Sequence, residues 1–114
     1  MKTGTIVLTP FPFTDLSINK LRPAVVISPV TPNSSDVIVA FISSVVPSRI
    51  NTCDYVFSDS HSDFRISGLK KSSVFKMDKL VTLDKKVFLG ELGEISSSTI
   101  LHLQVKLKIA LGLT

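Results

Sequence analysis

Arg22-Pro23-Ala24-Val25-Val26-Ile27-Ser28 and Asp36-Val37-Ile38-Val39-Ala40-Phe41-Ile42-Ser43-Ser44 are the two runs on which the fold turns. Both are rich in β-branched residues, whose stiff side chains suit an extended, pleated backbone. Neither alternates apolar with polar, so the strands they predict, Pro23 to Ser28 and Asp36 to about Ser43, are covered on both faces. Pro29 and Pro32 frame the turn between them. Two such strands in succession predict an adjacent antiparallel pair at the centre of a barrel or sandwich.

Working outward, Thr5 to Thr9 is a further β-branched run that predicts a strand ended by Pro10. Pro10-Phe11-Pro12-Phe13-Thr14-Asp15 follows; its prolines remove backbone donors and hold the chain extended, leaving Phe11 and Phe13 to pack or to stack. A polar loop runs from Leu16 to Leu21. Downstream, Asp54 to Ser58, Ser73 to Met77 and Leu80 to Leu83 predict short strands, separated by a loop at Pro47 to Thr52 and a polar turn at Asp59 to Asp63. The C-terminal segment fits two patterns. Leu103, Val105, Leu107, Ile109, Leu111 and Leu113 alternate as in a strand, whereas Ile100, Leu103, Leu107 and Leu111 share one helical face. Ser96, Ser97 and Ser98 supply N-caps and Gly112 a stop, and these with the length favour the helix. The expected class is mainly β with short helices, one of them C-terminal.

The 114 residues predict one domain, 1–114. With 44% hydrophobic and 19% charged residues the chain is globular, and the low charge fits either a subunit interface or a well-filled core. The net charge is +4. Between Arg65 and Lys86 stand Arg65, Lys70, Lys71, Lys76, Lys79, Lys85 and Lys86, opposed only by Asp78 and Asp84. Such a stretch attracts polyanions, or simply keeps a face solvated. Cys53 is the single cysteine, so no intrachain disulfide forms and a cytoplasmic setting fits. Met1-Lys2-Thr3-Gly4 leads straight into a strand-like run rather than the apolar core of a leader, and no apolar stretch has the length of a membrane helix.

Several chemistries have no counterpart in this sequence. His61 and His102 have no metal-ligand spacing with each other or with Cys53, so neither a metal nor another cofactor is expected. His61 sits in a polar loop and reads as solvent-exposed; His102 lies among leucines and reads as structural. There is no glycine-rich phosphate loop and no nucleophile elbow. What remains is Arg22 at the start of a buried strand, its base stiffened by Pro23, and Ser43 with Ser44 at the end of the next. A guanidinium grips a phosphate bidentately, and a hydroxyl donates to a phosphate oxygen or a nucleotide hydroxyl. In an antiparallel pair the start of one strand and the end of the next share a rim. The same residues also suit an Arg bound to a carboxylate and serines that close a turn.

The motifs together carry a resemblance. Gly4-Thr5-Ile6-Val7, Pro10 to Asp15, the Arg22 and Val39-to-Ser44 strands, Gly68-Leu69-Lys70, Ser73 to Lys85 and Leu92-Gly93-Glu94-Ile95-Ser96 occur in the order found in the MazF/PemK family of toxin ribonucleases, over nearly the whole chain. The chain resembles that family. The resemblance implies an SH3-like β-barrel, a homodimer, cleavage of single-stranded RNA without metal, and inhibition by a separate acidic antitoxin. It implies catalysis by Arg22 and by Ser43, which stands where the family usually has threonine and lacks the methyl that restricts rotation. One branch uses an arginine and an aspartate two residues apart; Lys76 and Asp78 occupy that pattern, with lysine for arginine, and that branch's histidine has no match.

The expected reaction is attack of a ribose 2′-hydroxyl on its own 3′-phosphate. Arg22 stabilises the phosphorane charge, Ser43 orients the phosphate or the 2′-hydroxyl, Asp78 accepts the proton and Lys76 supports the leaving oxygen. Phe11, Phe13, Thr14, Lys20, Ser44, Lys70 and Lys71 are the expected RNA contacts. Two alternatives use the same barrel: a toxin that poisons a topoisomerase, and a non-catalytic interaction module.

Overall fold

The computed structural model describes residues 1–10 and 20–113. The expected RNA contacts Phe11, Phe13 and Thr14 lie outside the described residues. Six strands, β1 (Thr5–Pro10), β2 (Leu21–Val26), β3 (Asp36–Ser43), β4 (Asp54–Phe57), β5 (Ser73–Asp84) and β6 (Gly90–Glu94), form one antiparallel sheet in the order β4-β5-β3-β2-β1-β6, curled into a half-barrel. Two helices, α1 (Phe64–Ser67) and α2 (Ser97–Ala110), complete it. The mainly β class with a C-terminal helix is as the sequence predicts.

The continuous apolar runs do line both faces. On one face Ile6, Val25, Ala40, Ile42, Phe57, Phe75 and Met77 pack beneath Ile95 and Leu103, with Ile100 and Leu107 of α2 against them. On the other, Val7, Ala24, Val26, Val37 and Val39 pack with Phe41, Val81, Leu83 and Phe88. A large apolar side chain withdrawn from water in this way contributes about 1.5–3 kcal/mol, so β2 and β3, which supply both clusters, anchor the sheet.

Several boundaries differ from the sequence reading. β2 begins at Leu21 and ends at Val26 rather than spanning Pro23 to Ser28. At Ser28 the ladder hands over to a side chain: the Ser28 hydroxyl, not a carbonyl, accepts the Ile38 N–H at 2.9 Å. The two strands expected at Ser73 to Met77 and Leu80 to Leu83 are one, β5. Its pairing with β3 jumps from Phe41 opposite Lys76 to Ala40 opposite Leu80, and the residues left over form a bulge that breaks the alternation. β6 contains two glycines in five residues and carries no strand signal; it is held by pairing with β1.

α2 ends as its pattern predicts. Gly112 takes a φ of 69°, and the Gly112 and Leu113 N–H groups close back on Ile109 and Lys108. Leu111 lies past the last turn and is exposed, so it does not share the buried face. The N-terminus of α2 is tied to a distant loop. Asp63 accepts the Ser96 N–H at 2.9 Å, the Ser96 hydroxyl at 2.7 Å and the Thr99 hydroxyl. Burial pushes the Asp63 carboxyl up, but the bonds from Thr99 and Ser96 outweigh it and hold the group below the usual carboxylate range.

β6 approaches α1 so closely that only glycine fits. A Cβ on Gly93 would lie 2.1 Å from the Ile66 carbonyl oxygen, and one on Gly68, whose φ is 74°, would lie 2.0 Å from that of Leu92. This contact fixes the Gly68-to-Lys71 loop beside the sheet.

Candidate active site

The site is built from two neighbouring rows on one face of the sheet. The inner row reads Ala24, Phe41, Lys76, Asp54 across β2, β3, β5 and β4. In the next row, Thr9 of β1 pairs with Arg22 of β2, and Ser43 of β3 pairs with Val74 of β5. The ladder between β2 and β3 runs from Val26 opposite Val39 to Ala24 opposite Phe41; two residues beyond its last pair stand Arg22 on β2 and Ser43 on β3, at the same end of the two strands. Directly opposed residues on one face have Cβ atoms about 4.5–5.5 Å apart, and diagonal ones about 7–8 Å. Lys76 is the diagonal neighbour of Ser43.

The electrostatics of the rim follow from its partners. Arg22 is half-buried, and its buried Nε has no hydrogen-bond partner among the described residues. Among the described residues no carboxylate forms an ion pair with it. Its guanidinium is thus not consumed by a carboxylate there, as one sequence reading allowed. Ser43 is half-buried and does close a turn: its hydroxyl donates to the Val45 carbonyl at 3.3 Å and accepts the Val45 N–H at 3.1 Å. The donor contact is long, so the hydroxyl proton is weakly held and free to be redirected.

The other predicted residues do not all gather at this rim. Lys76 is not extended into solvent; its side chain is 15% exposed and its Nζ lies 3.0 and 3.1 Å from the two oxygens of Asp54. Asp78 is exposed and sits in the β5 bulge. Lys20 is exposed, just ahead of β2. Ser44, Lys70 and Lys71 come together, but elsewhere: with Leu8, Pro23, Leu69 and Leu92 they line a groove of about 310 Å³. Leu8 and Pro23 alternate with Thr9 and Arg22, so this groove opens on the reverse face of the strand-end rim.

His61 is a correction. It is half-buried, its Nε2 lies 3.0 Å from the Tyr55 hydroxyl and its Nδ1 accepts the Asp63 N–H at 2.9 Å. His102 is exposed and stacks on Tyr55 with ring centroids 6.0 Å apart. Tyr55 alternates with Asp54 along β4, so both histidines stand on the α2 side, away from Arg22. Among the described residues no group of three His, Cys, Asp or Glu side chains is arranged to hold a metal ion. No described helix is long and apolar enough to cross a membrane.

The sequence reading missed Asp54, whose importance depends on a lysine over twenty residues away. An acid opening a short apolar run, between Cys53 and Tyr55, is the available signal.

The model of the PemK-like, MazF-like toxins of type II toxin-antitoxin systems matches residues 2–111. The chain belongs to this family. No curated protein sequence matches this toxin significantly. Among solved structures, an endoribonuclease from a mycobacterial species, in complex with its cognate antitoxin, superposes with a TM-score of 0.75 at 22% identity, covering 100% of this chain and 97% of that one. Mycobacterium tuberculosis toxin MazF-mt6 gives 0.74 at 20% identity, covering 96% and 98%. A MazE-MazF structure from Deinococcus radiodurans gives 0.72 at 20%, covering 100% and 97%. At these identities the likeness establishes that the toxin shares their fold.

Proposed function

We propose that this toxin is an endoribonuclease that cuts single-stranded RNA without a metal ion, acting in the cytoplasm as a single-domain homodimer under the control of an acidic antitoxin. The observation that carries the reading is the shared rim of Arg22 and Ser43, with the Arg22 guanidinium unclaimed by any described carboxylate. Membership of a toxin family, and likeness to an endoribonuclease in complex with its cognate antitoxin, support it.

The reaction supplies its own nucleophile. The ribose 2′-oxygen attacks the adjacent phosphorus and loses its proton; the bond from phosphorus to the 5′-oxygen breaks, and that oxygen takes up a proton. The products are a 2′,3′-cyclic phosphate and a 5′-hydroxyl. Arg22 stabilises the charge on the non-bridging oxygens, as preorganised donors do. Ser43 redirects its hydroxyl from the Val45 carbonyl to the phosphate or the 2′-hydroxyl. Asp78, exposed at the bulge, receives the 2′-proton, and the Lys76 ammonium faces the departing oxygen. Unpaired bases lie over Phe11 and Phe13, and Thr14, Lys20, Ser44, Lys70 and Lys71 hold the flanking chain. Exposed apolar side chains such as Val45, Leu89 and Leu101 provide surface for a second copy.

The test is incubation of purified protein with a long RNA in EDTA, followed by end-mapping. Cleavage with cyclic phosphate ends is expected, and Arg22→Ala should lower the rate roughly 100-fold or more. Intact RNA, or an Arg22→Ala protein cutting at the wild-type rate, refutes the assignment; intact RNA with topoisomerase inhibition would point to the topoisomerase-poisoning alternative.

A further inference from the structure

Asp54 is an unusual residue for the place it occupies. It stands on β4, an edge strand of four residues, yet its side chain is 0% exposed. Its Oδ2 accepts the Asn51 N–H at 3.1 Å and a hydrogen bond from Lys76 Nζ at 3.1 Å; Oδ1 lies 3.0 Å from the same Nζ and takes no hydrogen bond. The carboxylate is therefore pinned by its own turn and spends its charge on a single ammonium.

That arrangement is a poor way to make a basic RNA-binding surface. A lysine on a flexible four-carbon stem meets a polyanion best when extended and free. Asp54 cancels its charge at long range and draws it down onto the sheet. What the pair provides is a fixed position, beside Phe41 and diagonal to Ser43 on the face that carries Arg22. An ammonium has three N–H donors and a single carboxylate does not exhaust them.

We infer that Asp54 is a positioning residue, which fixes the Lys76 ammonium on the face shared by Arg22 and Ser43 so that a remaining N–H meets the phosphate or the leaving oxygen of bound RNA. The inference rests on the ribonuclease reading of that face. It makes Asp54 act through Lys76 and not on the substrate.

The experiment compares Asp54→Asn, Lys76→Met, their combination, and the apolar pair Asp54→Leu with Lys76→Met. Removing both charges together avoids leaving one buried alone, so the apolar pair should melt within a few degrees of wild type. It should nonetheless cleave about 100-fold more slowly, with the loss in kcat rather than KM. Asp54→Asn should lose as much as Lys76→Met, and adding Asp54→Asn to Lys76→Met should lose nothing more. A folded apolar pair that cleaves at the wild-type rate overturns the inference, as does a folded Asp54→Asn protein with unchanged kcat. Arg22→Ala, run alongside, separates the two levels: if it too cleaves normally, the reading of the face fails, whereas its loss with an active apolar pair sinks the roles of Lys76 and Asp54 and leaves that of Arg22 standing. Binding of a 2′-O-methyl RNA oligonucleotide gives a readout independent of cleavage. The salt dependence of its affinity should weaken by about one phosphate contact in the apolar pair, and an unchanged slope also overturns the inference.

Discussion

Replacing Gly93 with alanine tests how tightly β6 is pressed against α1. A methyl group there would lie 2.1 Å from the Ile66 carbonyl oxygen and 2.6 Å from both the carbonyl carbon and the oxygen of Ser67, where contacts under 3.0 Å essentially never occur. The atoms met are backbone, so no side chain can swing aside; the two segments must separate by about 1 Å. Overpacking of this kind typically costs about 1–3 kcal/mol, and rigid backbone on both sides puts this position at the upper end. For a domain of this size about 3 kcal/mol lowers the melting temperature by roughly 10–15 °C. Two other glycines isolate the causes. Gly112 has a φ of 69° and open space around it, so Gly112→Ala pays only the left-handed backbone penalty, about 1 kcal/mol. Gly68 combines a φ of 74° with a Cβ contact of 2.0 Å and should be the most costly. Thermal unfolding followed by circular dichroism should rank the losses Gly68, then Gly93, then Gly112. A Gly93→Ala protein melting within a degree of wild type, or less damaged than Gly112→Ala, would refute the close-approach argument.

Three further outcomes follow from the same geometry. Because the Asp63 carboxyl is held below its usual range in the folded protein, its stabilisation is complete above the unfolded value near ~3.9 and disappears as pH falls through the lower folded value. Urea midpoints of wild type and Asp63→Asn should accordingly lie apart at pH 7 and converge toward pH 3; a gap that stays constant would show that the charge is irrelevant. Ser43→Ala should reduce RNA cleavage by about tenfold or more while costing only about 0.5–1.5 kcal/mol of stability from the lost Val45 contacts, as gel cleavage rates and melting curves can separate. Ser43→Thr keeps the hydroxyl and should cleave at least half as fast as wild type; if it is as inactive as Ser43→Ala, the hydroxyl is not what matters at that position.

How much of this was legible in the chain depended on whether the cause was local. β2 and β3 announce themselves because both faces are covered, which leaves uninterrupted Val, Ile and Ala in each. Proximity of Arg22 and Ser43 follows from antiparallel order alone, since one begins a strand and the other ends its neighbour. β6 was invisible because Gly90-Glu91-Leu92-Gly93-Glu94 has no strand propensity; the two glycines serve a close approach to α1 and an outer edge, both set by distant residues. α1 is a single turn, too short for any periodicity. The half-buried state of His61 and the pairing of Asp54 with Lys76 depend on partners in other elements. A polar residue carries no mark of whether such a partner will arrive, so His61 reads as surface and Asp54 gives no sign of its pairing.

The bulge in β5 has a consequence for how the chain tolerates changes in length. Below it, Val37 and Val39 pair with Leu83 and Val81 toward one cluster and Ala40 with Leu80 toward the other; above it, Ile42 pairs with Phe75 while Phe41 keeps to the first. In an unbroken ladder, deleting one residue would turn every following side chain to the wrong face. Here Asp78 and Lys79, both exposed, form the segment between two registers, each fixed by its own packing, with Met77 buried in the core beside them. A one-residue insertion or deletion at Asp78 or Lys79 can be taken up within that segment, leaving both halves of the sheet in step.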